Sequence, residues 1–409
     1  MNIRLDATQV KRIQSEITIS GSKSESNRLL ILQKLFEGLR IENLSDSDDS
    51  EHMQDALSTK EMVVNIGHAG TAMRFLTSFF AATPNRNVIL TGSERMQNRP
   101  IRILVDALMD LGARISYLNK EGYPPLEIKG TYISDSKVHI QGNVSSQYIS
   151  SLLLIGGKLP NGLKVVLEGK ITSLPYIQMT LALLNQVGIK TEFKENEIQV
   201  FPVDQLNSQT VIVESDWSSA SYFYSIVASS EVGSEIILTA YKNESLQGDS
   251  CLADIFTHFG VETSFGKDRI TLTKTRDTNS DVLDLDLRNA PDIAQTIAVT
   301  CFSEGIECNL TGLHTLKIKE TDRLVALENE LSKFGASLSV TNESLHLKPA
   351  TSIKSGVTVA TYNDHRMAMA FAPLALKVPL MIEDAMVVTK SYKKFWEDMS
   401  SLGFTISEL

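Results

Sequence analysis

Cysteine is scarce in this chain, and positive charge is in deficit. Among 409 residues there are three cysteines, and 39 lysines and arginines face 49 aspartates and glutamates, giving a formal net charge of −10. Cys251, Cys301 and Cys308 form no CxxC pair and have no partner at zinc-ligand spacing, so they read as buried thiols. A sequence pI near 5.3 lacks the electrostatic footprint of a nucleic-acid binder. No apolar run approaches the roughly 18 residues that cross a bilayer, and the opening MNIRLDATQVKR has no apolar signal core. The expectation is a soluble cytoplasmic protein that contacts neither membrane nor nucleic acid. Zincin spacing, a GxxxxGK[ST] phosphate loop and the Ser/His/Asp order of a nucleophile elbow are also missing, and the seven histidines do not pair at ligand spacing. If such a protein binds anions, it must gather its cations locally.

An apolar fraction of 42% with 22% charged residues is that of an ordinary globular protein, and the length suits two or three domains without staples. A recurring pattern organises it: an amphipathic helix, a glycine, then a strand. It appears as VDALMDLGARI at Gly112, LALLNQVGIKTEF at Gly188, LADIFTHFGVETSF at Gly260, LENELSKFGASLSV at Gly335 and FWEDMSSLGFTI at Gly403. Apolar residues three and four apart mark the helix, the glycine permits a left-handed end, and alternation marks the strand. A weaker copy without the glycine, MQDALSTKEMVVNI, lies upstream. Six units are therefore expected, three to each of two α/β domains of about 200 residues. Polar Glu214 to Ser219 interrupts strand-like VIV and helix-like ASYFYSIVA, which places a boundary there.

Several polar stretches open helices. GSKSESNR, from Gly21 to Arg28, combines small residues at a helix start with Lys23 and Arg28; it fits both a capped helix and an anion cradle. In GHAGTAMR, Gly70 allows close backbone approach and Thr71 is placed to cap the helix carrying Arg74. Arg95 and Arg99 flank a turn in RMQNRPI, where Pro100 suits the first turn of the next helix; a solvated pair of charges is the plainer reading. Ser145, Ser146 and Gln147, and Ser173 with Tyr176, offer hydroxyl and amide groups suited to a polyhydroxylated ligand or to ordinary capping. KETDR (Lys319 to Arg323) fits a solvated helix start, while NDHR (Asn363 to Arg366) opens an apolar helix and so aims its cations inward or at a cleft. Lys390 follows a strand and precedes the last helix, and Asp292 sits at another helix start, where a carboxylate suits the macrodipole.

The strings GSKSESNR, AGTAMR, RMQNRP, SSQ, SLPY, SSASYF, PD, KETDR, YNDHRMAM and VTKSY, in this order over nearly the whole chain, closely resemble the 5-enolpyruvylshikimate-3-phosphate synthases, an enolpyruvyl transferase family. The resemblance implies an α/β (α+β) fold, a two-domain inside-out α/β barrel with three βαβαββ repeats per domain. It implies a first domain over residues 20–214 and a second over 1–19 plus 215–409, joined by two crossover segments. It implies that Lys23, Ser24, Arg28, Ser145, Ser146, Gln147, Ser173, Tyr176, Asp292 and Lys319 hold shikimate 3-phosphate. Lys23, Gly70, Arg99, Gln147, Arg323, Arg366 and Lys390 would hold phosphoenolpyruvate, in an interdomain cleft completed by closure. Asp292 is implied as base and Glu320 as acid, with Lys23 assisting, in an addition and elimination through a tetrahedral intermediate that needs no metal or organic cofactor.

Two phosphates and two carboxylates bring a charge of about −5 to −6, and Lys23, Arg28, Arg99, Lys319, Arg323, Arg366 and Lys390 supply seven positive charges against it. Each cation at about 4 Å is worth roughly 4 kcal/mol at an effective dielectric near 20, before desolvation. Those cations are expected to repel one another without ligand and to leave an open, mobile state. The chain departs from the family pattern at Ser20, His68, Phe75, Thr315 and Lys393; retained Gly70 implies competitive inhibition by glyphosate, and Phe75 weakens that implication. The rivals are the sibling transferase acting on UDP-N-acetylglucosamine, which uses a loop cysteine absent here before Cys251, and a non-catalytic anion-binding module. A monomer is expected.

Overall fold

The structure is a computed structural model of the chain and describes residues 1–171, 174–279 and 281–409. Two compact units result: Gly21–Val213, and Met1–Ser20 together with Glu214–Leu409. Both mix helices and sheets, as the motifs imply.

Among the described residues, every sheet is built round one parallel pair of strands. In the unit Gly21–Val213 these are Leu39–Glu42 with Gln209–Ile212, Val63–Asn65 with Asn87–Thr91, and Lys137–Gln141 with Leu163–Glu168. In the other unit they are Gln14–Ile17 with Glu235–Thr239, Leu283–Asp286 with Cys308–Thr311, and Val357–Val359 with Leu380–Ile382. Parallel strands need a crossover, and four of the pairs have a buried helix between them: Gly70–Ala81, Ser146–Gly156, Ala294–Glu304 and His365–Phe371. The chain leaves one unit at Ser20 and returns at Glu214, so the other two pairs join segments distant in sequence.

All five glycine-ended copies are present. Gly112, Gly188, Gly260, Gly335 and Gly403 have φ between +72° and +99°, the left-handed conformation that a side chain resists. Each is followed by a strand that pairs antiparallel within a sheet. The weak copy is a different object. Asp48–Ser58 is helical, but without a glycine the chain leaves it extended at Thr59 (φ −66°), and Val63–Asn65 joins a parallel pair. Among the described residues, the sheet of Leu39–Glu42 and Gln209–Ile212 has those two strands.

Helices buried on every side carry apolar residues interleaved with small hydroxyls. Nearly all of Gly70–Ala81, Ser146–Gly156 and Trp217–Ser229 is buried. Their hydroxyls bond across the helix contacts: Ser78 with Ser151 at 2.8 Å, Ser221 with Thr296 at 2.9 Å, and Thr300 to Ser225 at 2.7 Å. Small side chains permit close packing, and mutual bonding removes the desolvation cost of burying them. The thiols separate in fate: Cys301 and Cys308 are buried, while Cys251, at the end of a short helical turn, is only partly so.

Candidate functional site

Along the chain, most of the residues singled out in the sequence come after a strand from one of the parallel pairs. Lys23 and Arg28 follow Gln14–Ile17, Gly70 follows Val63–Asn65, Arg99 follows Asn87–Thr91, and Ser145 follows Lys137–Gln141. Asp292, Glu320 and Arg366 follow Leu283–Asp286, Cys308–Thr311 and Val357–Val359 in the same way, and Lys390 comes after Leu380–Ile382 by way of a helical turn. Loops at these ends run into helix N-termini, where backbone N–H groups lack partners and the dipole favours an anion.

In the unit Gly21–Val213 the two buried arginines, Arg28 and Arg74, hydrogen-bond to neutral oxygens. Arg28, 3% exposed, donates Nε to Thr180 Oγ1 at 2.8 Å, Nη1 to the Ser24 carbonyl at 2.7 Å, and Nη2 to Ser150 Oγ at 3.2 Å and the Tyr176 carbonyl at 3.3 Å. Its guanidinium also lies over the Phe75 ring at 5.4 Å. Burial pushes its pKa down to about 10, a shift that nearby Tyr176 and Glu25 offset only in part. Arg74 is buried likewise, with Nη1 on the Gly70 carbonyl at 3.1 Å and Nη2 on that of Pro100 at 3.2 Å. Burial, then the charge of Arg99, pushes its pKa down to about 10. A buried cation without a carboxylate is costly, and a bound anion removes that cost.

Gly70 and Arg99 meet here. A Cβ on Gly70 would stand 2.5 Å from Arg99 Nη1 and 3.0 Å from Nη2, so the absence of a side chain is what admits the guanidinium. Ordinary capping explains only some of the helix starts. Ser145 Oγ accepts from Gln147 N at 3.4 Å, a long cap, while Ser22 precedes Lys23–Leu35 without capping it, and its buried hydroxyl has no partner. Thr71 does not cap either; its Oγ1 accepts from Gln147 Nε2 at 3.1 Å. Pro100 lies before rather than in the helix Arg102–Asp110, and its carbonyl also accepts from Tyr148 Oη at 2.6 Å. Lys23 Nζ stands 3.4 Å from Asp49. Arg95 is exposed, as the plainer reading held, but Arg99 is not. Ser173 lies outside the described residues, whereas Tyr176 is in the helix Leu174–Gln186. His68 is exposed, with its ring edge-on to His52 at 6.4 Å.

The other unit carries a self-matched cluster. Arg323 is 1% exposed, so KETDR is no solvated helix start. It donates Nε to Asp364 at 2.7 Å, Nη1 to Asp292 at 2.9 Å and Nη2 to Glu320 at 2.8 Å. Burial opposes its charge, but Asp364, Glu320 and Asp292 outweigh that and hold its pKa above the ordinary arginine value. Asp292 is shared further, with Lys319 at 3.4 Å and Arg366 at 3.3 Å. Arg366 also donates to the Asp292 carbonyl at 3.1 Å, and Asp364 caps its helix by accepting from Arg366 N at 2.9 Å. Lys390, at the end of the helical turn Ala385–Lys390 rather than directly after a strand, donates to the Asn363 carbonyl at 2.7 Å. The seven cations therefore do not all stand ready for ligand: Arg323 is an organiser that spreads two acidic groups, Asp292 and Glu320, across one guanidinium.

Asp364, Arg74 and the Thr180 and Ser150 hydroxyls were not singled out as functional in the sequence. Asp364 lay inside the NDHR quartet, whose burial was its signal; for the hydroxyls, two residues on distant helices, no signal exists in one chain.

Paired acidic groups on a buried arginine, at helix N-termini that carry cations, suit anionic ligands and acid–base chemistry. The family model for EPSP synthase (3-phosphoshikimate 1-carboxyvinyltransferase) matches residues 7–61 and 55–399. A 3-phosphoshikimate 1-carboxyvinyltransferase of Bacteroides fragilis is 45% identical over 400 residues, covering 97% of each chain, and one of Erwinia tasmaniensis is 36% identical over 436 residues, covering 98% of this chain and 99% of its own. The EPSP synthase structure from Acinetobacter baumannii superposes with a TM-score of 0.82 at 20% identity over the full length of both chains. The enolpyruvyl transferase NikO of Streptomyces tendae does so with 0.73 at 14% identity, covering 99% of this chain and 98% of its own. The chain belongs to the EPSP synthase family, and the two-domain α/β architecture and the family expected from the motifs are borne out.

Proposed function

We propose that this enzyme of the shikimate pathway transfers the enolpyruvyl group of phosphoenolpyruvate to the 5-hydroxyl of shikimate 3-phosphate and releases inorganic phosphate, with the roles below. The observation that carries these roles is the Asp292–Arg323–Glu320 arrangement: two acidic groups bound to the same buried guanidinium at 2.9 and 2.8 Å. Asp292 takes the 5-hydroxyl proton as the oxygen attacks the enol carbon, and Glu320 protonates the methylene carbon, which gives a tetrahedral intermediate. Elimination reverses the traffic, with Glu320 taking a proton from the new methyl group as phosphate leaves. Arg28, Ser24, Ser145, Ser146, Ser173 and Tyr176 hold shikimate 3-phosphate, together with Lys319. Gly70, Arg99, Arg323, Arg366 and Lys390 hold phosphoenolpyruvate, and Lys23 and Gln147 reach both. The resemblance to the family's motifs supports each assignment, and Arg28's neutral partners support a phosphate as its counter-ion. A monomer acting in the cytoplasm completes the reading; light scattering of the purified protein at a single monomer mass of 45.2 kDa is the expected result.

Phosphate release decides between this reaction and its rivals. Release is expected when phosphoenolpyruvate is supplied with shikimate 3-phosphate and not with UDP-N-acetylglucosamine; release with the nucleotide sugar, or with neither, overturns the reading.

Gly70→Ala tests the phosphoenolpyruvate end. The new methyl forces Arg99 to give way, because its nearest neighbour would be a guanidinium nitrogen at 2.5 Å. The KM for phosphoenolpyruvate is expected to rise about tenfold, the scale of one weakened charge-assisted bond. Inhibition by glyphosate should weaken in parallel. An unchanged KM removes Gly70 and Arg99 from that role.

A further inference from the structure

In the unit Met1–Ser20 plus Glu214–Leu409, the returning segment at Glu214 and the carboxyl end of the strand Glu235–Thr239 have no part in the scheme above. The helix Trp217–Ser229 opens the unit's returning segment and presents Ser218 in its first turn; the turn Gly248–Cys251 follows Glu235–Thr239 and presents Asp249. Both side chains join the cluster. Asp249 is buried, Ser218 donates its hydroxyl to Asp249, and Arg366 Nη2 donates to Ser218 Oγ at 3.2 Å. A serine hydroxyl has one proton, and here Asp249 takes it, which leaves the oxygen lone pairs facing Arg366.

We propose that Asp249 is a positioning residue for the transfer reaction: by orienting the Ser218 hydroxyl it fixes one arm of the Arg366 guanidinium in the attitude that clamps phosphoenolpyruvate. The other arm is fixed by the Asp292 carbonyl at 3.1 Å, a backbone hold that does not titrate. Nη2 also stands 3.3 Å from the Asp292 carboxylate, so the Ser218 oxygen, which depends on the state of Asp249, shares this arm with Asp292 and sets its attitude.

The groups facing Asp249 are Asp292 and Asp216, which oppose its charge, Arg366, which favours it, and the Ser218 hydroxyl; Cys251 lies on its own turn. Burial and then Asp292 push its pKa up to about 7, which Arg366 and Ser218 only partly offset. Below pH 7 the neutral carboxyl group can itself donate to Ser218 Oγ and compete with Arg366 for that oxygen. Above pH 7 the ionised form accepts only. The clamp is therefore tightest on the alkaline side of neutrality.

The inference rests on the assignment of Arg366 to phosphoenolpyruvate, and the test separates the two. The KM for phosphoenolpyruvate and kcat are measured at pH 6, 7 and 8 for the full-length enzyme and for Ser218→Ala, Ser218→Thr, Asp249→Asn and Arg366→Lys. Ser218→Ala should raise the KM about fivefold at pH 8, the scale of one net hydrogen bond, with kcat little changed, and Ser218→Thr, which keeps the hydroxyl, should restore it. For Asp249→Asn the ratio of variant to wild-type KM should be about five at pH 8 and fall towards one at pH 6, where the wild-type carboxyl group is also neutral. The substrate's own phosphate titration is common to both enzymes and cancels in that ratio. Asp249 holds its proton more tightly folded than unfolded, so its ionisation above pH 7 opposes folding. The melting temperature of Asp249→Asn at pH 8 should accordingly be no lower than wild type, whereas a residue with a merely structural role would lose stability and kcat at every pH. A ratio that is flat with pH, or a normal KM in Ser218→Ala, overturns the inference. A normal KM in Arg366→Lys overturns the assignment of Arg366 itself; a raised KM there with normal values in the Asp249 and Ser218 variants overturns only the positioning role.

Discussion

Glu320→Gln and Asp292→Asn are each expected to lower kcat by about two to four orders of magnitude, the usual contribution of a positioned acid or base, while the KM values for both substrates change far less. The substitutions keep the shape and one acceptor oxygen of each side chain, so Arg323 retains a partner at each place, 2.8 Å from Glu320 and 2.9 Å from Asp292 in the wild type. What is lost is the ability to take or give up a proton near neutral pH. The anchoring of Arg323 on Asp364, at 2.7 Å and fully buried, is independent of both positions, so the helix beginning at Arg323 should hold its place. Steady-state phosphate release with each substrate varied in turn separates the effects. Near-normal turnover in either variant removes that residue from proton transfer, and a large KM change with normal kcat reassigns it to binding.

Arg28→Met should weaken shikimate 3-phosphate by about 30-fold to a few thousand-fold, because truncating a buried charge that meets an opposite charge costs about 2–5 kcal/mol. The local structure makes this residue a stronger case than an exposed arginine. Four neutral oxygens orient the fork, and Phe75 closes one face. Arg28→Lys keeps the charge but not the fork, which spans Thr180 on one side and the Ser24 carbonyl on the other, and so should recover only part of the affinity. Titration calorimetry with shikimate 3-phosphate gives the affinities directly. The same ligand should raise the melting temperature of the wild type by mass action and leave that of Arg28→Met almost unchanged. Equal affinity in wild type and Arg28→Met would remove Arg28 from the site.

Much of this was readable along the chain, for identifiable reasons. The five glycines could be found because a left-handed helix end excludes most side chains, so geometry there leaves a residue type as its trace. The sixth copy misled because helical periodicity survives in Asp48–Ser58 whether the following strand pairs parallel or antiparallel. Arg323 shows the same limit from the other side. KETDR is polar throughout and suggests solvent, yet the arginine is buried, because Asp292 and Asp364, 31 and 41 residues away, neutralise it. Ser218 stood in the string SSASYF with no role attached and Asp249 in no string: a serine in the first turn of a helix and an aspartate in a short turn have ordinary local explanations, and their bond spans 31 residues.

By itself the sequence determined which residue types stand at each strand end, the family to which the chain belongs, and the alternation of buried helix and sheet, since these follow from local sterics, periodicity and short motifs. Tertiary structure decided how the charges are spent. It left Arg28 and Arg74 among neutral oxygens, gave Arg323 three carboxylates, and set Arg99 against a bare glycine. Electrostatic energy depends on distance and burial between groups remote in the chain, and those two quantities exist only once the strands have brought their carboxyl ends together.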